Sequence, residues 1–584
     1  TRRIFVLSLL SFALVCGCGR PERTAETGGA DAGQPAQGDW VILRYESEPD
    51  SLNPLLSRGA YSDYAMIGIN NSQIYELLMR YNTKDFSFSD PVLAEAPPQI
   101  SPDHLTYSFK IRDGVKWHDG KPFTAEDVLF TFKAGMCPLV DSANRRSYFT
   151  DLKDVRLEDR TIRFVVGKPN AFNAVFLANT FGIIPKHIFD PDGLLDGFSY
   201  ADIIGPKGKS DPKIMKFADD FNKHPNNRSP IGTGPYKFEK WDGGHELSLI
   251  RNDDYWGKKA YLDKIVIRII PDFPAALTAL KAGDVDFIPR LLPIQYAQQT
   301  SGAAFDQQFA KAKYSIPTYS FIMWNEERPF FKDKRVRQAL TMLINRQQFI
   351  DTVLFGLGRI GVSHFNPSAK DFDPHLKPWP YDPKRAAELL DEAGWIDHDG
   401  DGIRDKDGVK FKFEFLASSS NAYLPQLLPV LKEEFRKAGI EMTERTVEFN
   451  VMTGAVQEHR FDASALSWSA DLIADPYQVF HSSAALNKGS NFISFKNAES
   501  DRLIEKARLE FDDEKRKQIY WQWQELIHEE QPYTFLFYRE EPAAYSKRFR
   551  NVQWLPLRPG YDLNSWFVPS SEQKYKKDLR AVVE

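Results

Sequence analysis

Residues 105–133, LTYSFKIRDGVKWHDGKPFTAEDVLFTFK, constrain the fold of this 584-residue chain more than any other segment. Apolar and polar residues alternate at the start of the segment, which predicts a half-buried strand, and Asp-Gly turns then frame a second short strand. Thr124 followed by Asp127 three residues later is typical of a capping box at the start of a helix. The segment is therefore predicted to fold as strand, turn, strand, turn and helix.

This segment closely resembles the N-terminal motif of the family 5 bacterial extracellular solute-binding proteins, the peptide- and nickel-binding group that supplies ABC importers. Residues 230–256, with PIGTGPY and RNDDYW, and residues 329–340, PFFKDKRVRQAL, resemble two further motifs of that family. The resemblance implies an α/β, two-lobed periplasmic-binding-protein (Venus-flytrap) fold with an extra N-terminal α+β subdomain.

Hydrophobic patterning along the rest of the chain predicts the same class of fold. Strand, helix and strand follow one another closely in residues 264–288 and again in residues 410–448, which is typical of α/β units with mostly parallel sheets. Asp382 and Pro383 predict the start of a helix. We also predict a helix that ends near Tyr81, in a segment containing Ile67, and one long helix over residues 501–529.

The N-terminus has the features of an export signal. Arg2 and Arg3 precede the apolar run Ile4–Val15, which is too short to span a bilayer comfortably. Small Gly17 precedes Cys18, and this sequence resembles a lipobox, which implies lipidation of Cys18. An ordinary signal peptide with incidental cysteines is the alternative. The expected location is the periplasm or the outer cell surface, anchored to a membrane through the lipid.

These patterns predict five regions. They are a signal peptide, a lipidated N-terminus with a disordered tether, lobe I in three segments, an inserted subdomain and lobe II. In the same order, their boundaries are 1–17; 18–38; 39–85 with 230–312 and 530–584; 86–229; and 313–529.

Composition and motifs argue against several classes of function. The net charge of −5 makes nucleic acid an improbable partner. The sequence has no Gly-x-Ser-x-Gly motif and no paired-histidine zinc helix. We therefore expect a protein that is not an enzyme, with no catalytic residues, no cofactor and no metal site.

The strongest candidate site follows the predicted strand that ends at Trp468. Ligands of open α/β sheets collect beyond the carboxyl ends of strands, where Ser467, Ser469 and Ala470 also lie. Trp468 offers an apolar wall and Asp471 a carboxylate, which suit a ligand with a positive charge beside a variable side chain. The run matches the Trp-x-Ala-Asp element of the family, and the resemblance assigns Asp471 to the α-ammonium group of a peptide. The alternative is an aspartate that caps the next turn.

Four other residues bear on the prediction of this site. Trp324 and Asn325, at the end of an earlier predicted strand, are candidates for the wall of the cleft, and a core tryptophan is the alternative. Some oligopeptide binders of the family have arginines just before the tryptophan that corresponds to Trp468, and these arginines contact the carboxyl end of the ligand. At the corresponding positions this chain has Ala465 and Val456. How a ligand carboxylate would be held is therefore open.

The run from Asp397 to Gly402, DHDGDG, resembles the first half of a calcium loop. The twelfth position is Gly408 instead of glutamate, so the bidentate ligand is missing. A hairpin turn is the favoured interpretation.

Together these features predict a monomeric substrate-binding lipoprotein of an ABC importer. It would capture a small ligand between two lobes, with a peptide as the favoured ligand, and deliver it to an ABC permease. The permease is implied by the resemblance alone. Binders of nickel chelates, haem or oligosaccharides share the fold and remain alternatives. A secreted hydrolase and a sensor module remain alternatives from other classes.

Overall fold

The computed structural model describes residues 33–66, 73–419, 421, 423–469, 472–486 and 489–575. The described elements lie in a compact unit that begins at Pro35. The strands are β1 Trp40–Tyr45, β2 Met79–Tyr81, β3 Phe88–Pro91, β4 Gln99–Ile100, β5 Thr106–Lys110, β6 Leu152–Glu158, β7 Thr161–Val166, β8 Tyr236–Asp242, β9 Glu246–Arg251, β10 Lys264–Ile269, β11 Phe287–Ile288, β12 Phe309–Trp324, β13 Gly358–Ile360, β14 Asp405–Lys406, β15 Val409–Lys410, β16 Lys412–Ser418, β17 Glu441–Val447, β18 Ala463–Ser469 and β19 Tyr533–Ser546.

The α-helices connect these strands and cover the sheets. They are α1 Ala60–Met66, α2 Ala125–Met136, α3 Ala143–Arg146, α4 Asn173–Asn179, α5 Lys186–Phe189, α6 Tyr200–Ile204, α7 Lys207–Ser210, α8 Pro212–Asn222, α9 Phe273–Ala282, α10 Ala303–Gln308, α11 Lys334–Met342, α12 Arg346–Thr352, α13 Pro383–Glu392, α14 Leu424–Lys437, α15 Phe449–Gln457, α16 Tyr477–Phe480, α17 Ala498–Arg508 and α18 Asp513–Glu530.

The largest sheet contains two groups of parallel strands. Its order is β17–β16–β18–β12–β19–β11–β1–β10–β9–β8, with β13 paired to β19. In one group β16 runs parallel to β17 and β18, and in the other β1 runs parallel to β10 and β11. The remaining pairs in this sheet are antiparallel. Each lobe contains parallel strands, as predicted, but the two lobes share one hydrogen-bonded sheet instead of having separate, mostly parallel sheets.

The long strands β12 and β19 make that join. Residues 309–315 pair with 540–546, and residues 319–323 pair with 533–538 after a shift of register. We call the half of the sheet with β1 and β8–β11 lobe I, and the half with β13 and β16–β18 lobe II. The chain thus crosses between the lobes inside β12 and β19, whereas the sequence predicted the second crossing at residue 530.

Apolar packing follows the two lobes. One buried group, which includes Val41, covers one face of lobe I and continues into the inserted subdomain, and a smaller group around Leu277 covers the other face. Lobe II has its own groups on its two faces, around Trp324 and around Trp523. Because most of the buried apolar area lies within one lobe or the other, the packing agrees with the predicted two-lobed α/β fold.

The inserted subdomain contains a four-stranded sheet, β4–β5–β7–β6, and helices α2 to α8. The predicted capping box is confirmed: the Thr124 backbone N–H donates to Asp127 Oδ2 at 2.8 Å, where α2 begins. Asp127 is buried, and its other oxygen accepts from the backbone N–H of Lys186 at 2.9 Å. The predicted second strand of the opening motif is reduced to a single bridge between Lys116 and Pro122.

The predicted helix that ends near Tyr81 is wrong. Helix α1 ends at Met66, residues 67–72 lie outside the described part of the chain, and Tyr81 ends strand β2. Ile74 and Leu78 are fully buried in a segment without helical structure. Their spacing reflects burial of an irregular segment on several sides, which periodicity cannot distinguish from one face of a helix.

Buried His364 predicts a pH dependence of stability. Its Nδ1 lies 2.7 Å from the Tyr319 hydroxyl, and burial lowers the pKa of His364 from 6.5 to about 3. Because the unfolded chain binds the proton more readily, the stability that depends on neutral His364 is fully present above pH 6.5 and is lost as pH falls toward 3. Between pH 6.5 and 5 this loss is about 2 kcal/mol.

Denaturant unfolding of the wild type and of His364→Asn at several pH values measures this contribution. Asparagine can keep a hydrogen bond to Tyr319 but does not titrate in this range. We expect the free energy of unfolding to fall less steeply with acidification in the variant. Identical slopes for the two proteins would contradict the assignment.

Candidate functional site

The carboxyl ends of the parallel strands in lobe II form one edge of the sheet. Strands β16, β17 and β18 end at Ser418, Val447 and Ser469, and the loops that follow them lie on the same side. Ligands of open α/β sheets bind at such edges because the loops there converge while the strands hold them rigidly. Ser467 and Ser469 are exposed at this edge.

Lobe I has a corresponding edge. Its parallel strands β10, β1 and β11 end at Ile269, Tyr45 and Ile288. Glu46 follows β1 directly, and Arg290 lies two residues beyond β11. A carboxylate and a guanidinium are therefore placed where lobe I ends its parallel strands.

A chain of charged and polar side chains joins the two edges, and we call it the hinge network. In lobe I, Arg290 Nη1 lies 3.1 Å from Glu46 Oε2, and its Nε lies 3.8 Å from Glu541 Oε2. On the crossing strand β19, Arg539 pairs with Glu541 and donates to the Tyr423 hydroxyl of lobe II at 2.5 Å. The network therefore links the two edges.

Burial shapes the electrostatics of the hinge network. Glu541 is 3 % exposed, so its charge is poorly screened by solvent. Burial by itself would lower the pKa of Arg539, but the Glu541 carboxylate and the Tyr423 hydroxyl together outweigh that effect and raise it. The Arg539–Glu541 pair is thus held on β19, at the crossing between the lobes.

The structure describes only some of the site residues predicted at the end of β18. Asp471 and Ala470 lie outside the described residues, as do Cys18 and the signal peptide 1–17. The Ser467 hydroxyl lies 2.8 Å from the Ser320 hydroxyl, and both are exposed.

Trp468 is half-buried in an aromatic stack on the predicted site strand. Its ring lies nearly parallel to those of Phe321 and Phe492, with centroids 6.4 Å and 5.7 Å away. The Cα atom of Trp468 pairs with that of Tyr319 across the β12–β18 ladder, so two rigid strands position the ring. Trp468 therefore packs against the aromatic side of the lobe II core, on the face of β18 opposite the exposed Ser467 and Ser469.

Trp324 and Asn325 do not line a cleft, which corrects the prediction made for them. Both are 0 % exposed. Trp324 Nε1 donates to the Thr534 hydroxyl at 3.1 Å inside the core of lobe II. The Asn325 amide donates to the backbone carbonyl of Phe461 at 2.8 Å, so it holds the start of the next strand. Both residues are structural, because β12 runs antiparallel to β18 and ends beside the start of that strand, away from the candidate site.

Ala465 and Val456 are also buried in lobe II, with exposures of 4 % and 1 %. The positions at which some relatives have arginine therefore offer no charged group here. A ligand carboxylate would need a different partner.

The run from Asp397 lies in a hairpin loop, as favoured from the sequence, because Ile396 and Asp405 form an antiparallel bridge at its base. Asp397, Asp399 and Asp405 bring carboxylate oxygens within 4.8 Å of one another. The Lys410 ammonium lies among them, 2.5 Å from Asp399 and 2.9 Å from Asp401. A lysine thus neutralises the acidic cluster from within.

Long-range contacts reveal functional candidates that the sequence did not. Arg290, Arg539 and Glu541 meet only after the lobes have formed, and no local motif marks them. Arg558 is a further half-buried residue, in the loop LPLRPGY, and contacts the Thr318 hydroxyl of β12. A lone arginine in an otherwise apolar loop is a signal that could have drawn attention to it.

Within the described part of the chain, no helix combines the length and the apolar character that a membrane span requires.

Comparison with known proteins identifies the family. Residues 90–491 match the model for bacterial extracellular solute-binding proteins, family 5 Middle. The oligopeptide-binding protein AppA of Bacillus subtilis is 32 % identical over 583 residues, which cover 97 % of this chain and 99 % of that protein. The heme-binding protein A of Haemophilus influenzae is 26 % identical, with coverage of 84 % and 86 %.

Solved structures agree with this match. The structure of AppA from Bacillus subtilis in complex with a nonapeptide has a TM-score of 0.72 and 31 % identity, and covers 92 % of this chain and 100 % of that one. NikZ from Campylobacter jejuni in complex with Ni(L-His) has a TM-score of 0.70 and 26 % identity, with coverage of 92 % and 99 %. The two-lobed fold and the family model together show that the chain belongs to the bacterial extracellular solute-binding proteins of family 5.

Proposed function

We propose that this solute-binding protein captures a peptide between its two lobes and delivers it to an ABC permease. The observation that carries the proposal is the hinge network, which links the ends of the parallel strands of the two lobes. Similarity to an oligopeptide-binding protein over 97 % of the chain supports a peptide as the solute. The protein acts as a monomer that carries one ligand at a time.

In this proposal Asp471 accepts the α-ammonium group of the peptide. The residue directly follows a segment in which Trp468 provides an apolar surface and two serines provide hydroxyls. A carboxylate beside such a surface suits a ligand with one fixed positive charge and side chains of varied shape. Backbone recognition with tolerant side-chain contacts is what a general peptide carrier requires.

Ligand binding would shift the protein between open and closed arrangements of its lobes. The inserted subdomain contacts lobe II around Phe172, which is buried against the lobe II core, and these contacts would have to form and break as the lobes close and open. The backbone N–H of Ala171 donates to the carbonyl of Arg508 at 2.8 Å, and His104 stacks on Phe511 with centroids 3.6 Å apart. A ligand that contacts both lobes stabilises the closed arrangement. In the open arrangement the ligand can contact the binding groups of only one lobe.

Native mass spectrometry of the purified protein tests the proposed ligand. We expect bound species whose masses and fragmentation are those of short peptides. Nickel chelates or haem, which relatives bind by name, would instead appear as a metal-containing adduct or a porphyrin mass. Recovery of such a cofactor-like species alone, with no peptide, would overturn the peptide assignment.

We further propose that Cys18 is lipidated and tethers the protein to a membrane through the segment up to residue 38. Replacing Cys18 with serine should move the protein from the membrane fraction to the soluble extract, because the lipid supplies the anchoring free energy. Immunoblots of separated fractions measure this distribution. A variant that stays in the membrane fraction to the same extent as the wild type would contradict the proposal.

A further inference from the structure

Among the arginines around the hinge network, Arg44, Arg290 and Arg539 pair with described carboxylates, and Arg558 does not. Arg290 pairs with Glu46, and Arg539 pairs with Glu541. Arg558 has no described carboxylate within ion-pair distance, and its buried Nε has no described hydrogen-bond partner. A half-buried guanidinium without an anion is unfavourable, since it loses hydration without gaining a counter-charge.

The local structure holds Arg558 at the tip of a short loop. The backbone N–H of Leu555 donates to the carbonyl of Gly560 at 2.9 Å, and Trp554 forms a bridge with Tyr561 at the base of the loop. The loop is therefore closed and presents its tip residue in a defined position.

The contacts of the loop place Arg558 beside the candidate site. Arg558 Nη2 donates to the Thr318 hydroxyl at 3.4 Å, and Thr318 pairs with Ser469 in the β12–β18 ladder. On the other side, Leu557 packs in one apolar cluster with Leu472. Arg558 thus lies next to described residues on both flanks of the loop that contains Asp471.

We propose that Arg558 binds a carboxylate of the ligand. This inference rests on the proposed peptide-binding function and names the residue that recognises the anionic end of the ligand. Ala465 and Val456 are buried and uncharged, so the positions that are arginine in some relatives do not supply this charge. Arg558 supplies it from lobe I, and its planar guanidinium suits a carboxylate in bidentate geometry.

Calorimetric titration of Arg558→Gln and the wild type, both stripped of endogenous ligand, tests this role. The probes are tetra-alanine with a free carboxyl end, its C-terminal amide, and two amidated peptides that differ by glutamate or glutamine at the second position. Amidation should weaken binding to the wild type about ten- to a hundredfold, and Arg558→Gln should bind acid and amide with similar affinity. The glutamate pair distinguishes a side-chain carboxylate from the terminal one.

Arg156→Gln is the matched control, because Arg156 is 67 % exposed in the inserted subdomain. It should keep the full preference of the wild type for the free acid. Two results would contradict the inference: Arg558→Gln also keeps that preference, or it weakens the binding of the free acid and of all three amides equally. Either result would show that Arg558 does not bind the ligand carboxylate, and would leave the proposed peptide function standing. If the wild type binds none of the probes, the proposed peptide function fails and the inference fails with it.

Discussion

Replacing Asp471 with asparagine should weaken the binding of a peptide with a free amino end about ten- to a hundredfold. The reason is the loss of a charge-assisted hydrogen bond to the α-ammonium group, worth about 1.5 to 3 kcal/mol. Asparagine keeps the size of the side chain, so the change removes charge with little change in packing. Calorimetry with the same short peptide on both proteins measures the ratio.

An N-acetylated copy of the peptide provides the control for this experiment. The acetyl group removes the positive charge of the ligand, so the wild type and Asp471→Asn should bind the acetylated peptide about equally. Asp192→Asn, a change at an exposed aspartate of the inserted subdomain, should leave the binding of both peptides unchanged. Equal losses for the free and acetylated peptides in Asp471→Asn would show that the residue has a structural role, such as capping a turn.

Replacing Glu541 with glutamine should destabilise the protein by about 3 to 5 kcal/mol, because it leaves a buried guanidinium unpaired. Glu541 is buried and faces Arg539, with Arg290 3.8 Å away. The amide that replaces it keeps the shape of the side chain but carries no charge. Urea unfolding followed by circular dichroism measures the free energy of unfolding.

The neighbouring residue offers a matched control for this change. Glu540 is 30 % exposed and pairs with Lys313, which is 53 % exposed. Glu540→Gln should therefore cost less than about 1 kcal/mol. Similar losses for the two variants would contradict the role assigned to the hinge network.

The secondary structure could be predicted mainly where residues close together in the sequence mark the start of an element. Thr124 with Asp127, and Asp382 with Pro383, mark helix starts through contacts a few residues apart, and both helices are present. The predicted long helix over residues 501–529 is instead two helices. Asp512 caps the second by accepting from the backbone N–H of Lys515, a break that continuous apolar spacing did not reveal.

The site was predictable where a strand end and a residue pattern coincide, and unpredictable where it depends on distant partners. Trp468 lies at the carboxyl end of its strand, β18, as expected. Trp324 also ends a strand, but that strand runs antiparallel to β18 and ends away from the candidate site, which the sequence alone does not record. Arg539 meets Tyr423 across 116 residues, so its role could not be read from neighbouring residues.

The most direct test of peptide capture is calorimetry on wild-type protein that has been unfolded and refolded to remove endogenous ligand. Peptides of two to about nine residues are titrated into protein whose circular dichroism matches that of the native state. We expect saturable heat with one peptide bound per chain for at least one of these lengths. No heat with any peptide, from protein that has regained its native fold, would contradict the account.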